Sequence, residues 1–424
     1  MMRLLKEIPI LCTFAALAAV LALCGSAKAF NNFARLISVT APPYCSTIQG
    51  NTTIQISAPG VANVTVKCWQ QGKGFGHDST VATAKLNAAG DGSFVFPADK
   101  YPHGPITIRI LGHDASHRDI CYLQLYNKGG VRWHEGLPKN PPPAAKGMKL
   151  IFADGFTRPL SIGNNNKDTF YDHKPPHGWQ DFSWPLKFTS FNSPHNPFKR
   201  VGTYLRIRAD AKTASTGLIA SVHSDGHGIT ARLPCYFECR FIAPDAPGTW
   251  PAFWLLTDNM IKPSVKACDE LDIFEGYGGN GPHEPNASDT FMITPHDWAY
   301  PPKLARITNA MLHRDFPYPH PCHMKAFGIP STWYETFHTY GCKITSRQTS
   351  YYVDNIEVGH HPTLPIGKKL PLFFLINLAT GGGWPVNLSR YNGLADMYVA
   401  WIRVYQGKTR PAQTKIKAAA VRMP

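Results

Sequence analysis

Apolar and polar residues alternate in short runs along most of the chain, and a period of two predicts β-strands rather than helices. Residues 54–56, 64–68 and 106–110 are runs of this kind in the first third of the sequence. Turn-forming residues separate the runs, as in Ala-Gly-Asp-Gly at 89–92. An antiparallel β-sandwich of about 100 residues is therefore expected over residues 30–135.

A run in the second half of the chain carries three acids, in the order Glu270-Leu-Asp272-Ile-Phe-Glu275. In a regular strand Glu270 and Asp272 point to one face, whereas Glu275 points to the other, because five positions are an odd step at period two. One extra residue at Ile273-Phe274, a β-bulge, would return Glu275 to the first face, and bulges are common beside active sites. The strand would then present three acids in a row.

The distance between the two glutamates suits a pair of catalytic carboxyl groups. With the bulge counted out, Glu270 and Glu275 lie four strand steps apart, roughly 13 Å between Cα atoms. Their side chains can lean toward each other, so the carboxyl separation of about 5 Å found in retaining glycosidases is within reach. The alternative is a solvated acidic edge strand, the usual fate of a charge run. The apolar residues within the run count against it, and a fold keeps like charges on one face where they serve a site.

Several segments resemble glycoside hydrolase family 16, and they occur in the family's order over residues 148–407. The acid run resembles the E-x-D-x-x-E signature in the bulged form of laminarinases and agarases. Residues 248–256 resemble the family's G-x-WPAFWLL segment, and residues 337–341, 352–354 and 375–385 resemble its F-H-x-Y-G, Y-x-D and L-N-x-x-x-GG-x-WP segments. The resemblance implies an all-β, concanavalin-like β-jelly-roll sandwich over these residues. The layout of residues 30–135 is, separately, weakly similar to immunoglobulin-like modules.

The resemblance also implies roles for the acids. Glu270 would be the nucleophile and Glu275 the general acid/base, while Asp272 would orient the nucleophile and hold charge against it. Sugar rings offer apolar faces and hydroxyl edges, so aromatic platforms and a few polar groups are expected to bind them. The candidates for these contacts are Trp250, Trp254, His338, Asn377 and Trp384.

For each of these contacts a place in the core is the alternative. Trp250 and Trp254 share strand parity, so both indoles would flank the cleft if their strand neighbours the acid strand. A hydrogen-bonded core histidine is an equal alternative for His338, and His296 is a weaker candidate contact.

No cofactor and no metal site is expected. Cys235 and Cys239 would share one face of a strand. They are not expected to form half of a zinc site, because no Cys/His partner motif completes the spacing. Ala400 stands where many family 16 members carry an Asp that binds calcium, so no strong calcium site is expected there.

The two ends of the chain differ from the rest. Residues 1–29 combine Arg3 and Lys6 with an apolar run and a small-x-small site, as in a secretory signal, and no other stretch approaches the length of a membrane span. Pro-rich residues 136–147 predict a semi-rigid linker, and residues 408–424 predict a mobile basic tail. The cysteines beyond the signal divide three and five between the two halves, so either one disulfide joins the halves or free thiols remain.

The formal net charge is +15. Nucleic acid is not expected as a partner, because no stacking-plus-basic motif accompanies the charge. An anionic polysaccharide or an envelope surface suits the charge better.

Together with the family resemblance, the sequence predicts a secreted or periplasmic monomer with no membrane span after signal removal. The protein is expected to cleave a β-linked polysaccharide internally and with retention. A non-catalytic lectin and a transglycosylase on the same fold are the alternatives.

Overall fold

The alternating runs form strands, and the strands build four sheets. The computed structural model describes residues 37–70, 75–113, 118–133, 136–165, 167–176, 183–262, 267–279, 290–299, 320–382 and 385–408. Within these ranges there are 26 strands and no α-helix. Five short 3-10 helices occur at Ala98–Lys100, Pro143–Ala145, Asp258–Ile261, Met324–Phe327 and Ser389–Tyr391. The secretory signal and nearly all of the basic tail that the sequence predicts lie outside the described residues.

The first eight strands form a two-sheet sandwich. They are β1 (Ser38–Ala41), β2 (Thr47–Ile48), β3 (Asn51–Ser57), β4 (Asn63–Gln70), β5 (His77–Lys85), β6 (Asp91–Pro97), β7 (Gly104–His113) and β8 (Arg118–Asn127). One sheet has the order β1-β3-β6 and the other the order β2-β8-β7-β4-β5. Alternate residues such as Ile54, Ile108 and Leu123 are fully buried, because one face of each strand turns toward the opposite sheet. The immunoglobulin-like class and the domain boundaries stay predictions.

The remaining strands form a second, larger sandwich. They are β9 (Lys149–Asp154), β10 (Ile162–Gly163), β11 (Phe170–Tyr171), β12 (Lys187–Phe188), β13 (Phe198–Val201), β14 (Tyr204–Asp210), β15 (Ser215–Thr216), β16 (Leu218–Ala220), β17 (Cys235–Ile242), β18 (Thr249–Thr257), β19 (Ala267–Gly276), β20 (Thr290–Ala299), β21 (His320–His323), β22 (His338–Ile344), β23 (Gln348–Val353), β24 (Ile356–Pro362), β25 (Leu372–Thr380) and β26 (Leu394–Gln406).

Two sheets make up this sandwich. The front sheet has the order β10-β11-β16-β25-β18-β19-β20-β21. The back sheet has the order β12-β15-β14-β26-β17-β22-β23-β24, and β13 and β9 extend it by pairing with β14 and β26. The predicted fold class, an all-β jelly-roll sandwich, is confirmed.

Aromatic rings fill the space between the front and back sheets. The Phe274 ring on β19 lies 5.0 Å from the Phe241 ring and 4.5 Å from the Tyr340 ring, centroid to centroid. Leu271 and Ile273 are buried in the same core. The apolar residues of β19 therefore face the back sheet, which turns its acids to the outward face of the front sheet.

The outward face of the front sheet carries an apolar cluster of its own. Its buried members are Tyr171, Leu218, Ala220, Val222, Ala252, Trp254, Leu256, Met260, Cys268, Phe373 and Leu375. Lys174, from the segment after β11, places its Nζ 4.7 Å from the centroid of the Trp254 ring. Part of this face is therefore covered, and the open part lies nearer to β19 and β20.

Buried hydrogen bonds join the two sandwiches. Gln124 on β8 donates from Nε2 to the Asp396 carbonyl oxygen at 2.6 Å and accepts from the Asp396 backbone N–H at 3.1 Å. Thr107 on β7 donates from Oγ1 to the Tyr334 carbonyl oxygen at 2.6 Å. Each bond satisfies a backbone group of the second sandwich with a side chain of the first.

The Pro-rich segment lies against the back sheet. Arg403 on β26 is buried, and its Nε lies 2.6 Å from Glu238 Oε1. Its Nη1 donates to the carbonyl oxygens of Pro138 and Asn140 at 3.1 and 2.9 Å. One buried guanidinium therefore ties the segment between the sandwiches to the second sandwich.

The cysteines beyond the signal are free thiols. They are Cys45, Cys68, Cys121, Cys235, Cys239, Cys268, Cys322 and Cys342. Cys235 and Cys239 both lie buried on β17, as expected from their spacing. Of the two alternatives that the sequence left open, the structure has free thiols. Within the described ranges, no helix has the length and hydropathy that crossing a membrane requires.

Replacing Gln124 by alanine should lower the free energy of unfolding of the full chain by about 1–3 kcal/mol, because the backbone N–H and C=O of Asp396 would be left buried without their partner. Urea unfolding measures this change. Gln55→Ala, at an exposed position of β3, is the matched control and should change the value by less than about 0.5 kcal/mol. Equal effects of the two substitutions would contradict the bridging role of Gln124.

Candidate active site

Strand β19 contains one extra residue relative to its neighbours. Asp272 pairs with Thr294 of β20 and Glu275 pairs with Met292, so three steps of β19 lie opposite two steps of β20. The register with β18 shifts at the same place. The predicted bulge is therefore confirmed, and it returns Glu275 to the outward face that Glu270 and Asp272 share.

Three carboxyl groups lie together on this outward face, which we call the acid face. Asp272 is 4% exposed and Glu275 is 8% exposed, while Glu270 is half-buried. Asp269, one position before Glu270, belongs to the opposite face and accepts a hydrogen bond from the backbone N–H of Gly367. The fourth acid of the strand is thus used to hold a loop and not to build the site.

Three donors surround the carboxyl group of Glu275. Trp250 Nε1 and Tyr277 OH donate to Oε1 at 3.2 and 3.3 Å, and Thr294 Oγ1 donates to Oε2. Burial, followed by the charge of Asp272, raises the pKa of Glu275 to about 8, although the Thr294 hydrogen bond opposes the rise. Glu275 therefore holds a proton at neutral pH, as a general acid must.

Asp272 lies between the two glutamates and differs from both. Burial, followed by repulsion from Glu270, raises the pKa of Asp272 well above its usual range. His296 Nε2 on β20 lies 3.2 Å from Asp272 Oδ2. Glu270 accepts a hydrogen bond at Oε2 from Trp298 Nε1, at 2.9 Å. Of these two neighbouring carboxyl groups, Asp272 thus contacts an imidazole and Glu270 accepts from an indole N–H.

The two tryptophans of β18 lie beside the acids, because β18 pairs directly with β19. Trp250 is half-buried and stacks on Tyr277 with 6.0 Å between ring centroids. Trp254 is only 8% exposed, its Nε1 donates to Asn377 Oδ1 at 2.8 Å, and Lys174 lies over its ring. Trp254 and Asn377 therefore support the wall of the site, and Trp250 is the one of these that offers surface to a ligand.

His338 is not on the acid face. It lies on β22 in the back sheet and is buried, with Nδ1 2.6 Å from Asp354 Oδ2 and Nε2 3.1 Å from Ser331 Oγ. This geometry matches the hydrogen-bonded core histidine that the sequence left as an alternative, so we withdraw His338 as a substrate contact. Trp384 lies outside the described residues.

Four residues of the acid face had no signal strong enough to select them from sequence. Thr294 and Trp298 share strand parity with the weaker candidate His296, so the alternation of β20 could have found them once β20 was known to pair with β19. Tyr277 follows the acid run directly. Lys174 comes from a distant segment, and its contact is visible only in three dimensions.

The site also resembles a possible metal centre. In the part of the chain that the structure describes, Glu270, Asp272 and His296 have donor atoms that all lie within 4.8 Å of one another. The same three residues make contacts that belong to the carboxyl site, because His296 pairs with Asp272 and Trp298 donates to Glu270 Oε2. We therefore interpret this group as part of the carboxyl site and assign no metal to it.

The acid face combines a protonated carboxyl group at Glu275 with a partly exposed carboxyl group at Glu270. Stacked rings lie at both, Trp250 with Tyr277 beside Glu275 and Trp298 with His296 beside Glu270. A proton donor and a second carboxyl group on one surface are what substitution at an acetal carbon requires.

Two curated proteins of Rhizobium meliloti (strain 1021) are similar to part of the chain. The chain is 28% identical over 225 residues to the endo-1,3-1,4-beta-glycanase EglC, which is 50% of this chain and 40% of that protein. It is 31% identical over 175 residues to the endo-1,3-1,4-beta-glycanase ExsH, which is 40% of this chain and 30% of that protein. The chain thus spans less than half of the length of the curated relatives it matches.

Solved structures with a similar fold include the laminarinase catalytic domain of Thermotoga maritima MSB8. Its TM-score is 0.45 at 19% identity, with 62% of this chain and 100% of that chain covered. A laminarinase of Flavobacterium sp. UMI-01 gives a TM-score of 0.44 at 20% identity, with 61% of this chain and 100% of that chain covered. No family model matches the sequence.

Acrylamide should quench Trp298 far more than Trp254, since the two residues are 40% and 8% exposed. Steady-state fluorescence of Trp298→Phe and Trp254→Phe measures this difference. Removing an exposed emitter lowers the quenching slope of the whole protein, so Trp298→Phe should have the lower slope. Trp333→Phe, at a fully buried position, is the control and should not lower the slope. Equal slopes for the first two variants would contradict the described burial of Trp254.

Proposed function

We propose that this chain is an exported, endo-acting β-glycoside hydrolase that cleaves its substrate with retention of configuration. The observation that carries the proposal is the bulge in β19, because it sets Glu270 and Glu275 on one face with Asp272 between them. The partial similarity to two endo-1,3-1,4-beta-glycanases supports the same class of reaction.

Retention requires two displacements at the anomeric carbon. In the first, Glu275 gives its proton to the glycosidic oxygen while Glu270 attacks the anomeric carbon, and the bond to the leaving sugar breaks. Glu270 then holds the glycosyl group as an ester. In the second, the ionised Glu275 removes a proton from water, which attacks the same carbon and releases Glu270.

The surroundings of the two glutamates support this division of roles. Glu275 is enclosed and holds its proton, whereas Glu270 is half-buried and uses Oε2 for the Trp298 N–H, so that Oε1 can face a substrate. Two carboxyl groups in unlike environments divide acid and nucleophile roles in this way. Asp272, held between Glu270 and His296, orients the nucleophile.

The substrate class that suits the site is a β-linked polysaccharide. Rings stacked beside Glu270 and Glu275 offer flat apolar surface to sugar rings on both sides of the acids. We favour a β-1,3- or mixed-linkage glucan or a bacterial exopolysaccharide, in line with the names of the two relatives. The net charge of +15 would attract an acidic polymer, and salt would weaken that attraction.

Residues 1–29 support export to the periplasm or the medium, and the enzyme would work as a monomer on its polysaccharide partner. A transglycosylase would use the same acids and differ only in the acceptor of the second step. Product analysis separates the two activities, because hydrolysis yields new reducing ends and shorter chains, whereas transfer yields longer chains.

Glu270→Gln should lower kcat by about 10³-fold or more, because the amide keeps the shape of the side chain and removes the nucleophile. Glu275→Ala should lose most activity on polysaccharide but recover part of it on aryl glycosides, whose leaving groups need less acid assistance. Reducing-end assays across β-1,3-glucan, mixed-linkage glucan, galactans and acidic exopolysaccharides measure the activity on polysaccharide, and release of the phenol measures the activity on aryl glycosides. Glu357→Gln, at an exposed position of β24, is the matched control and should retain full activity.

Proton NMR of the first products should show the β-anomer before mutarotation. An α-anomer appearing first, or wild-type turnover in Glu270→Gln, would rule out the assigned roles. Binding of polysaccharide without any turnover by the wild type would favour the lectin alternative.

The pH profile should show one limb that belongs to Glu275. Its pKa of about 8 is raised, so the protonated acid is present below that value and is lost as pH rises through it. We expect kcat/KM on polysaccharide to fall about tenfold per pH unit above the limb. On aryl glycosides with good leaving groups, Glu275→Ala should lack this limb. A limb that persists in the variant would assign the proton to another group.

A further inference from the structure

Lys174 is a buried cation in the acid face that the mechanism above does not use. The residue is 5% exposed, and its Nζ lies 4.7 Å from the centroid of the Trp254 ring. Trp254 pairs with Asp272 across β18 and β19. The ammonium group therefore lies over the residue that is the direct neighbour of Asp272 in the sheet. Burying an ammonium group is costly, so a fold keeps one where opposite charge stabilises it.

The backbone that carries Lys174 is anchored. Two residues earlier, the carboxyl group of Asp172 is fully buried and accepts hydrogen bonds at Oδ2 from Ser190 Oγ at 2.6 Å and from the Phe191 backbone N–H at 2.8 Å. Its Oδ1 lies 2.5 Å from His173 Nδ1. The long Lys174 side chain therefore starts from a fixed point, as a group that must hold a charge in place requires.

Two separate groups on β19 respond to this cation. Burial and then Glu270 raise the pKa values of Asp272 and Cys268, and in each case the charge of Lys174 opposes the rise. The titratable groups of β19 that Lys174 acts on are thus Asp272 and Cys268, and Glu270 is the acid whose charge acts on both. His173 is the titratable residue beside it in the chain.

We propose that Lys174 is a positioning residue whose fixed positive charge stabilises the single negative charge that the pair Glu270 and Asp272 carries when Glu270 acts as a nucleophile. The inference rests on the proposed function. The effect of the Lys174 charge on the pair does not depend on the identity of the substrate. A pair of neighbouring carboxyl groups loses its first proton more easily beside a cation, because the cation stabilises the resulting anion.

Lys174→Met should therefore move the low-pH limb of kcat/KM upward by about one pH unit. The sign follows from the charge, since removing a cation disfavours the ionised pair. Lys174→Arg keeps the charge and should keep the limb of the wild type. Lys187→Met is the matched control, because Lys187 also lies over an indole, with Nζ 5.6 Å from the centroid of the exposed Trp184 ring.

A second measurement needs no turnover. The ¹³C-carboxyl titration of the pair, assigned with Asp272→Asn, should move to higher pH in Lys174→Met and should be unchanged in Lys174→Arg and Lys187→Met. If circular dichroism shows Lys174→Met to be unfolded, Lys174→Gln takes its place.

The two measurements separate the inference from the function on which it rests. A wild-type titration in Lys174→Met overturns the role of Lys174 even if the wild type is an active glycanase. A shifted titration in a protein that hydrolyses no β-glycan upholds the electrostatic role and overturns the proposed function. Loss of activity in Lys174→Met with both the titration and the limb unchanged would assign Lys174 a merely structural role.

Discussion

One inserted residue in β19 governs the chemistry of this protein. A strand that is apolar toward the back sheet cannot be shifted by one position without turning its core residues to solvent, so register fixes which side chains face outward. The bulge changes that assignment from Phe274 onward, because Phe274 turns into the core and Glu275 turns outward, and the ladder resumes its normal pairing on either side. The packing of Phe274 against Phe241 and Tyr340 holds the extra residue in place from behind. The position of Phe274 in the core and the geometry of the acids are thus consequences of the same local irregularity.

Placing three carboxyl groups on one half-enclosed face has an electrostatic cost, and the neighbouring residues offset part of it. Indole and hydroxyl donors reach Glu275, an imidazole reaches Asp272, and the Lys174 ammonium group lies over Trp254. The part of this cost that the neighbours do not offset raises the pKa values of Asp272 and Glu275. Because these pKa values are raised in the folded state, the free energy of unfolding falls as pH rises above the usual pKa of a carboxyl group. Ionisation costs more in the buried site than in the unfolded chain.

The sequence predicts the parts of this site that depend on local pattern. Alternation locates β19, the odd step between Glu270 and Glu275 demands the bulge, and shared parity puts Trp250 and Trp254 on one face. It could not show that Trp254 is covered, because Lys174 reaches it from a segment distant in the chain. His338 fails for a related reason, since its motif fixes the strand but not which of the two sheets that strand joins. The disulfide question needed the distances between cysteines, which spacing along the chain does not contain.

The hydrogen bonds of Gln124 with Asp396 affect whether the two sandwiches can be separated into independent fragments. Each sandwich has the alternation of an independent module, and a cut near residue 148 would follow the composition of the chain. That cut would remove the partner of a buried peptide group at Asp396 and of the carbonyl at Tyr334, and it would expose both to solvent. Recombination that exchanges the first sandwich for another would have to conserve these side chains. The structural unit is therefore the pair of sandwiches with the hydrogen bonds between them, and not either sandwich alone.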